Sequence, residues 1–581
     1  MKRIIYFVAA ALMVAGSGCE DFLLQEPLTQ KTSDNYPQTA ADAAQMMAGI
    51  YTTMNNEQRF VDKSYFFAVE VASDEKLGGG GAGDTKAQAY ECFQYTGPDM
   101  LDHMWEQHYE GIHRANYAIE NIGLISDEVL SPGVKDQYKG EALFLRAWFF
   151  YRLATVFGEV PLKISTEAIN LPAASASDIY GQIAADLKNA IDLLPDVSYD
   201  QTQDGRATKW AAEALMARVY LFYTGFYGAA DIALPEGGTV TKANIETWLQ
   251  DCITNSGHTL VNDFHELWPY TNSETIDEYQ YIQDYMAETG KNLTYASDNG
   301  ARNPESMFAL KFSTFSDWGV KRGYSNQYQL YYALRGLQNL ENTYPFAGGW
   351  GQGNSVPESL VDQWLADEPD DPRLWASIID ISSEVPEYNI NHWGDHVLES
   401  NWWGKKYNGV TARNESGALM NDYSVVMYDN NDNNQLSHCD DLIFIRYADV
   451  LLMMSEITED ASYMNQVRDR ADLPPVTYSL ENIQKERQYE LAFEGLRWND
   501  MRRWGDQYAK TALESQVGVP VYNKGVLEPN EALHSTGYSG RYDATKGFFP
   551  IPQSQIDMSE GLLEQVDGYQ NGEGLYSGWT D

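Results

Sequence analysis

Residues Glu141–Tyr151 read EALFLRAWFFY, and residues Glu213–Tyr223 read EALMARVYLFY. Laid on each other they match at Glu, Ala, Leu, Arg, an aromatic, Phe and Tyr, 72 residues apart, position 213 against 141. That offset is about two repeats of ~34 residues, the length of a helix–turn–helix unit. Leu143, Ala147, Phe150 and Ala154 in one copy, and Ala211, Leu215, Val219 and Phe222 in the other, recur with helical rather than strand spacing. Between them IYGQIAADLKNAIDLLP lines Ile183, Leu187, Ala190 and Leu194 along one face and stops at Pro195. HMWEQHYEGIHRANYAIENI (103–122) and RYADVLLMMSEI (446–457) also read as helices. The prediction is a mainly α, tetratricopeptide-like scaffold.

From about Pro235 to Asp441 the pattern changes: Gly, Asn, Asp, Trp and Tyr are dense and periodicity is poor. Long irregular segments of this kind are usually functional or mobile. No Pro/Gly/Ser-rich linker divides the chain. We therefore expect one body over 19–581, with the helical scaffold mainly in 36–228 and 442–505 and a loop-rich, ligand-facing region over about 235–441.

Charge narrows the function classes. Lys and Arg number 40 against 84 Asp and Glu, a net of -44, which repels a phosphate backbone and anionic lipid over most of the surface. No nucleic-acid partner is expected. The N-terminus, MKRIIYFVAAALMVAGSGCEDF, places Lys2 and Arg3 before an apolar run and small residues before Cys19. This is a secretory signal over 1–18, and Gly16-Ser17-Gly18-Cys19 resembles a bacterial lipobox, making Cys19 the lipidation site. The other cysteines, Cys92, Cys252 and Cys439, are too few and too scattered for a disulfide framework or a metal clip.

A third stretch invites a catalytic reading. RQYELAFEGLRWNDMRRWG (487–505) spaces Arg487/Glu490, Glu494/Arg497, Arg497/Asp500 and Asp500/Arg503 three apart, which on one helix sets each pair side by side. Glycosidase chemistry needs two carboxylates across a cleft, one with a raised pKa. Arginines beside Glu490 and Glu494 oppose that rise, so the expectation is a charged brace and no enzymatic activity. LGGGGAGD (77–84) lacks the Lys-Ser/Thr of a phosphate loop and reads as a mobile surface loop. Asp429, Asn431, Asn433 and Asp440 have calcium-loop spacing, but Asn434 stands at the turn glycine and Asp440 at the bidentate Glu, so a solvated turn is expected. The scattered histidines, including His103 and His108, suggest helical surface. No cofactor is implied.

GEALFLRAWFFYRLATVFGEVPL, GRATKWAAEALMARVYLF, DDPRL, IFIRYADVLLMMSEI, RQYELAFEGLRWNDMRRWG and GFFPIPQSQI occur in this order along the chain. In this the sequence resembles the SusD/RagB family of Bacteroidetes outer-membrane lipoproteins. The resemblance implies four tetratricopeptide-like units, a lipid-anchored and surface-exposed location at the outer membrane, and capture of a glycan, less often a peptide, for a SusC-like TonB-dependent transporter. The last segment departs from the family, which tends to close on a short Asn-Pro-Gly-Tyr-like end; this chain continues through GYQNGEGLYSGWTD.

Sugar rings stack on Trp and Tyr while polar side chains read their hydroxyls. Trp148, Trp210, Trp498 and Trp504 fall inside helical motifs and read as core. Aromatics beside Gly, Asn and Asp are the candidate ligand contacts: Tyr90, Trp268, Trp318, Tyr324, Tyr344 and Trp350, with Asp84, Arg322 and Asn354 to supply hydrogen bonds. The resemblance favours Tyr90 and the cluster from Trp318 to Trp350, ahead of Asp371-Pro372-Arg373. The alternatives are a lipid-anchored glycoside hydrolase and a peptide- or protein-binding scaffold.

Overall fold

The computed structural model describes residues 36–314, 325–336, 340–388, 390 and 394–580. Cys19 and its signal segment lie outside them. About half of the chain is helical. The scaffold helices are α1 (Ala40–Asn56), α2 (Asp102–Asn121), α3 (Pro132–Phe157), α4 (Ala176–Leu193), α5 (Lys209–Tyr227), α6 (Lys242–Asn255), α7 (Tyr447–Thr458), α8 (Ala461–Arg470), α9 (Leu480–Leu491) and α10 (Arg497–Arg503). Their starts are written locally. Thr39 and Asp42 form a reciprocal capping box on α1, and Ser175 and Thr208 cap α4 and α5 through their hydroxyls.

Each helix from α1 to α6 packs on the next, α6 then packs on α7, and α7 packs on α8 and α9. Four helix pairs, α1/α2, α3/α4, α5/α6 and α7/α8, thus follow one another in space although nearly 200 residues separate the third pair from the fourth. The repeat residues Leu143, Ala147, Phe150 and Ala154, and Ala211, Leu215, Val219 and Phe222, are all buried in one continuous core, as the helical spacing demands. Helix α6 lies inside the region that sequence analysis gives to loops, but it belongs to this stack. The intervening excursion closes at its base: β2 (Ser306–Leu310) pairs antiparallel with β6 (Leu442–Arg446), which leads directly into α7.

The stretch 487–505 is not one helix. Helix α9 ends at Leu491, Phe493 and Gly495 take φ of 64° and 74°, and α10 begins at Arg497. The three-residue ladder is therefore broken, and of the four anticipated pairs only Asp500–Arg503 forms. The other partners come from elsewhere in the fold. Glu490 accepts from Arg446 at 2.5 Å, from Arg373 at 3.0 Å and from Arg470; Glu494 accepts from Arg446 at 2.7 and 2.9 Å and from Lys406 at 2.8 Å. Glu305, on the excursion, also receives Arg446 and Arg470. Burial by itself raises the Glu490 carboxyl, but the guanidiniums of Arg470, Arg446 and Arg373 outweigh it and hold the group well below the usual carboxylate range. This is the opposite of a general acid. The brace ties strand β6, the DPR segment and helix α8 to α9 through fully buried charge.

One further expectation changes. His108 is buried, not on the helix surface: its Nδ1 faces the Met104 carbonyl at 2.7 Å and its ring meets Phe149 edge-on. Cys92 and Cys252 are buried and Cys439 half-buried, all three unpaired.

Candidate functional site

Most of the Gly-rich run is buried and partly strand, and only its end, the turn at Ala82–Gly83, reaches the surface. Gly78 to Gly81 are all buried, and β1 (Gly80–Gly81) pairs antiparallel with β5 (His396–Val397). A Cβ on Gly78 would stand 2.6 Å from the Ala87 carbonyl oxygen, and one on Gly79 2.7 Å from that of Leu398. Glycine is needed here because backbone approaches backbone.

What holds this strand is the broken turn between α9 and α10. The Phe493 and Gly495 N–H groups donate to Glu75 and Glu70, at 2.9 and 2.5 Å, and Arg497 grips Asp74 through two 2.7 Å bonds. Lys76, also buried, pairs with Glu70 at 2.8 Å and sits 3.9 Å from the centre of the Tyr332 ring. The Gly78 N–H then donates to Glu91 at 2.6 Å.

Tyr332 closes a short helix, Gln327–Tyr332, that runs into β3 (Leu334–Arg335) beside β4 (Gly348–Gly349). The chain after β4 is stitched back onto that helix: Trp350 N–H to Leu330 O at 2.9 Å, Gly351 N–H to Ala333 O at 3.1 Å and Gln352 N–H to Tyr331 O at 2.8 Å. As a result the half-buried rings of Tyr331 and Trp350 lie with centroids 4.7 Å apart and planes at 54°. Around them sits polar density. Gln352 Nε2 donates to Asp84 Oδ1 at 2.9 Å, and Asp84 Oδ2 accepts the Gly81 N–H at 2.7 Å. Arg335 and Asp395 make a two-point pair at 3.0 and 3.1 Å. Gly81 stands between these groups: a Cβ there would be 3.2 Å from Asp395, 3.3 Å from Asp84 and 3.7 Å from Arg335. Burial raises the Asp84 carboxyl despite the Gly81 hydrogen bond, whereas the Arg335 hydrogen bonds lower that of the exposed Asp395.

Of the sequence-derived candidates, the structure brings Trp350 and Asp84 together through Gln352. Tyr344 is engaged elsewhere in its loop, its hydroxyl on Glu278 at 2.6 Å and its ring 4.9 Å from the Arg413 guanidinium. Three candidates prove to be interior. Tyr90 is fully buried with its hydroxyl on the Asp62 carbonyl at 3.0 Å. Trp268 packs edge-on against Phe264 and Tyr407. Buried Asn354 donates to the carbonyls of Tyr332 and Gly404, both at 2.8 Å. These three hold the scaffold of the site and present no face to a ligand. Trp318, Arg322 and Tyr324 lie outside the described residues. Tyr331, Gln352, Arg335 and Asp395 were absent from the sequence reading; Gln352, two positions from Trp350, is the one that adjacency alone flags. In the calcium-like turn Asp429 is exposed, while Asp440 is buried and bonded to Tyr423 at 2.5 Å and Gln329 at 2.7 Å, so the four residues do not share one site.

The SusD family model matches residues 273–569, and a second model, for starch-binding proteins associating with the outer membrane, matches 21–221. The chain belongs to the SusD/RagB family. Among relatives of this SusD-family protein, SusD-like protein P2 of Formosa agariphila is 25% identical over 98% of this chain and 100% of its own, and a SusD-like protein of Bacteroides ovatus is 22% identical over 81% and 79%. Among solved structures, surface glycan-binding protein A of Bacteroides fluxus superposes with a TM-score of 0.67 at 23% identity, covering 92% of this chain and 100% of that one. The Bacteroides thetaiotaomicron protein in complex with laminarihexaose gives 0.66 at 18%, covering 91% and 100%. Among the described residues no helix is long and apolar enough to cross a membrane.

Proposed function

We propose that this SusD-family chain is a non-enzymatic, cell-surface glycan-binding lipoprotein, anchored to the outer membrane through Cys19, that delivers oligo- or polysaccharide to a SusC-like TonB-dependent transporter. The observation that carries the reading is the Tyr331–Trp350 pair, presented at the surface beside Asp84, Gln352 and Arg335. Two tilted aromatic faces beside fixed donors and acceptors suit a sugar chain whose C–H faces need apolar contact and whose hydroxyls need partners. Trp318, Arg322, Tyr324 and Tyr344 extend the proposal along the same loop-rich region. A protein solved with laminarihexaose among the structural relatives supports a glycan over a peptide. The ionised, fully paired Glu490 supports binding without hydrolysis.

The test is an affinity screen of the purified protein against plant, host and microbial glycans, repeated with Trp350→Ala. A glycan that binds wild type and loses affinity in the variant, with no release of reducing sugar, is the expected result. Undiminished binding by the variant removes Trp350 from the site, and sugar release establishes a hydrolase instead.

A further inference from the structure

The C-terminal residues after Gly574 build a wall. Leu575 bridges to Tyr95, with Tyr95 N–H on Gly574 O at 3.1 Å and Tyr576 N–H on Tyr95 O at 2.9 Å. The following residues, through Trp579, line one side of a cleft of about 620 Å³, within the size range of small-ligand sites. Its other side is formed by β7 (Pro520–Asn523), β8 (Val526–Pro529) and the segment after them. Trp579 is half-buried against the small apolar cluster of Leu77, Leu398, Val519 and Val521. Two lining side chains, Gln94 and Asn530, are almost wholly buried, and each carries a carbonyl oxygen, Oε1 and Oδ1, with no hydrogen-bond partner among the described residues.

The cleft adjoins the aromatic platform. Tyr576 donates to Gln88 Oε1 at 2.7 Å, and Gln88 Nε2 donates to the Gly81 carbonyl at 3.1 Å, the same Gly81 that binds Asp84. Leu398, in the cleft wall, directly follows the strand β5 that pairs with Gly80. The cleft lining contains Glu528 and Glu531 and neither Lys nor Arg, so an anionic sugar would meet like charge without a counter-ion.

We propose that this cleft is a second subsite for a neutral glycan, with Trp579 as its stacking face, and that one sugar chain runs from it past the half-buried Gly578 and Thr85, which adjoin each other, to Tyr331 and Trp350. The proposal rests on the glycan-binding reading above and adds a ligand class and a length requirement. It assigns a role to the C-terminal GYQNGEGLYSGWTD segment.

The experiment uses the full mature chain labelled with 5-fluorotryptophan, with the Trp350 and Trp579 resonances assigned by single Trp→Phe variants. It is titrated with laminari-, cello-, malto-, xylo- and mannohexaose, with the corresponding disaccharides and with hexagalacturonate. Calorimetry follows on wild type, Trp350→Ala and Trp579→Ala. We expect one neutral hexasaccharide to shift both resonances, and Trp579→Ala to weaken that hexasaccharide about tenfold while changing its disaccharide less than twofold. A hexasaccharide that shifts Trp350 alone and keeps its affinity in Trp579→Ala overturns the second subsite and leaves the proposed function standing. A shift of Trp579 alone overturns the continuous path. Preferential binding of hexagalacturonate overturns the neutral class, and failure of every oligosaccharide to move either resonance overturns both readings.

Discussion

Replacing Glu490 by Gln keeps the shape of the side chain and removes one charge from the centre of the brace. Three guanidiniums, from Arg373, Arg446 and Arg470, converge on that carboxylate, and both its side chain and theirs are almost wholly shielded from water. Removing one partner of a buried ion pair costs about 3–5 kcal/mol, because the remaining charges keep their desolvation penalty. We expect a loss of that size for Glu490→Gln at pH 7, read as the unfolding free energy in urea by circular dichroism and tryptophan fluorescence. Asp192→Asn is the control: its pair with Lys188 is a half-exposed i,i+4 contact, worth at most about 1 kcal/mol. The pH dependence follows from the depressed folded pKa of Glu490. Its contribution is fully present above the ordinary Glu value of about 4.3 and is lost as pH falls through the lower folded value. The gap between wild type and variant should therefore be full at pH 7 and close under acid conditions. A loss below about 1 kcal/mol at pH 7, or a gap that persists unchanged at pH 3, would refute the brace.

Trp350→Ala should weaken glycan affinity about tenfold, roughly 1.4 kcal/mol, with an unchanged unfolding midpoint; Trp268→Ala should do the reverse, costing about 3–5 kcal/mol of stability while folded protein keeps its affinity. Calorimetry and urea unfolding on both variants separate the two. His108 and His258 are buried and pushed down to about 4 by desolvation, so each stays neutral in the folded chain while the unfolded chain takes up a proton below about 6.5. Stability should fall as pH drops from 6.5 to 4, and His108→Gln should show a smaller fall than wild type over that window. Cys19→Ala should release the protein from the membrane fraction on cell fractionation; retention there contradicts lipid anchoring.

The scaffold was readable because helix packing leaves a periodic trace: the buried stripe of α5 is already visible as Ala211, Leu215, Val219 and Phe222. The site was readable only in part. Tyr90, Trp268 and Asn354 stand among polar and glycine residues, a context that suggests exposure, yet all three are interior. Local composition reports how irregular the backbone is, whereas burial depends on what the rest of the chain lays over it. In this protein the irregular excursion is itself packed: Asn354 ties Tyr332, 22 residues before it, to Gly404, 50 residues after it, across a stretch without periodicity. The ladder from Arg487 to Gly505 was misread for a related reason. Charge spacing assumes one continuous helix, and the positive φ values at Phe493 and Gly495 end it.

That break shows how a motif in the scaffold positions the proposed ligand platform. Had α9 continued, the N–H groups of Phe493 and Gly495 would have been spent inside the helix. Released by the turn, they reach Glu75 and Glu70, while Arg497 takes Asp74. The segment 70–76 is thereby clamped at three successive points by backbone and charge, and Lys76 carries the clamp to Tyr332, the last residue of the helix that bears Tyr331. Two residues beyond Lys76 the chain enters the glycine-rich run that ends at Asp84. Both halves of the platform, the Asp84 side and the Tyr331–Trp350 side, are thus positioned from one turn. A ligand surface built on irregular backbone needs its residues fixed by something other than secondary structure, and here buried charge does it. Glu490 and Glu494 lock the turn to the scaffold through Arg446, and the turn positions the proposed platform.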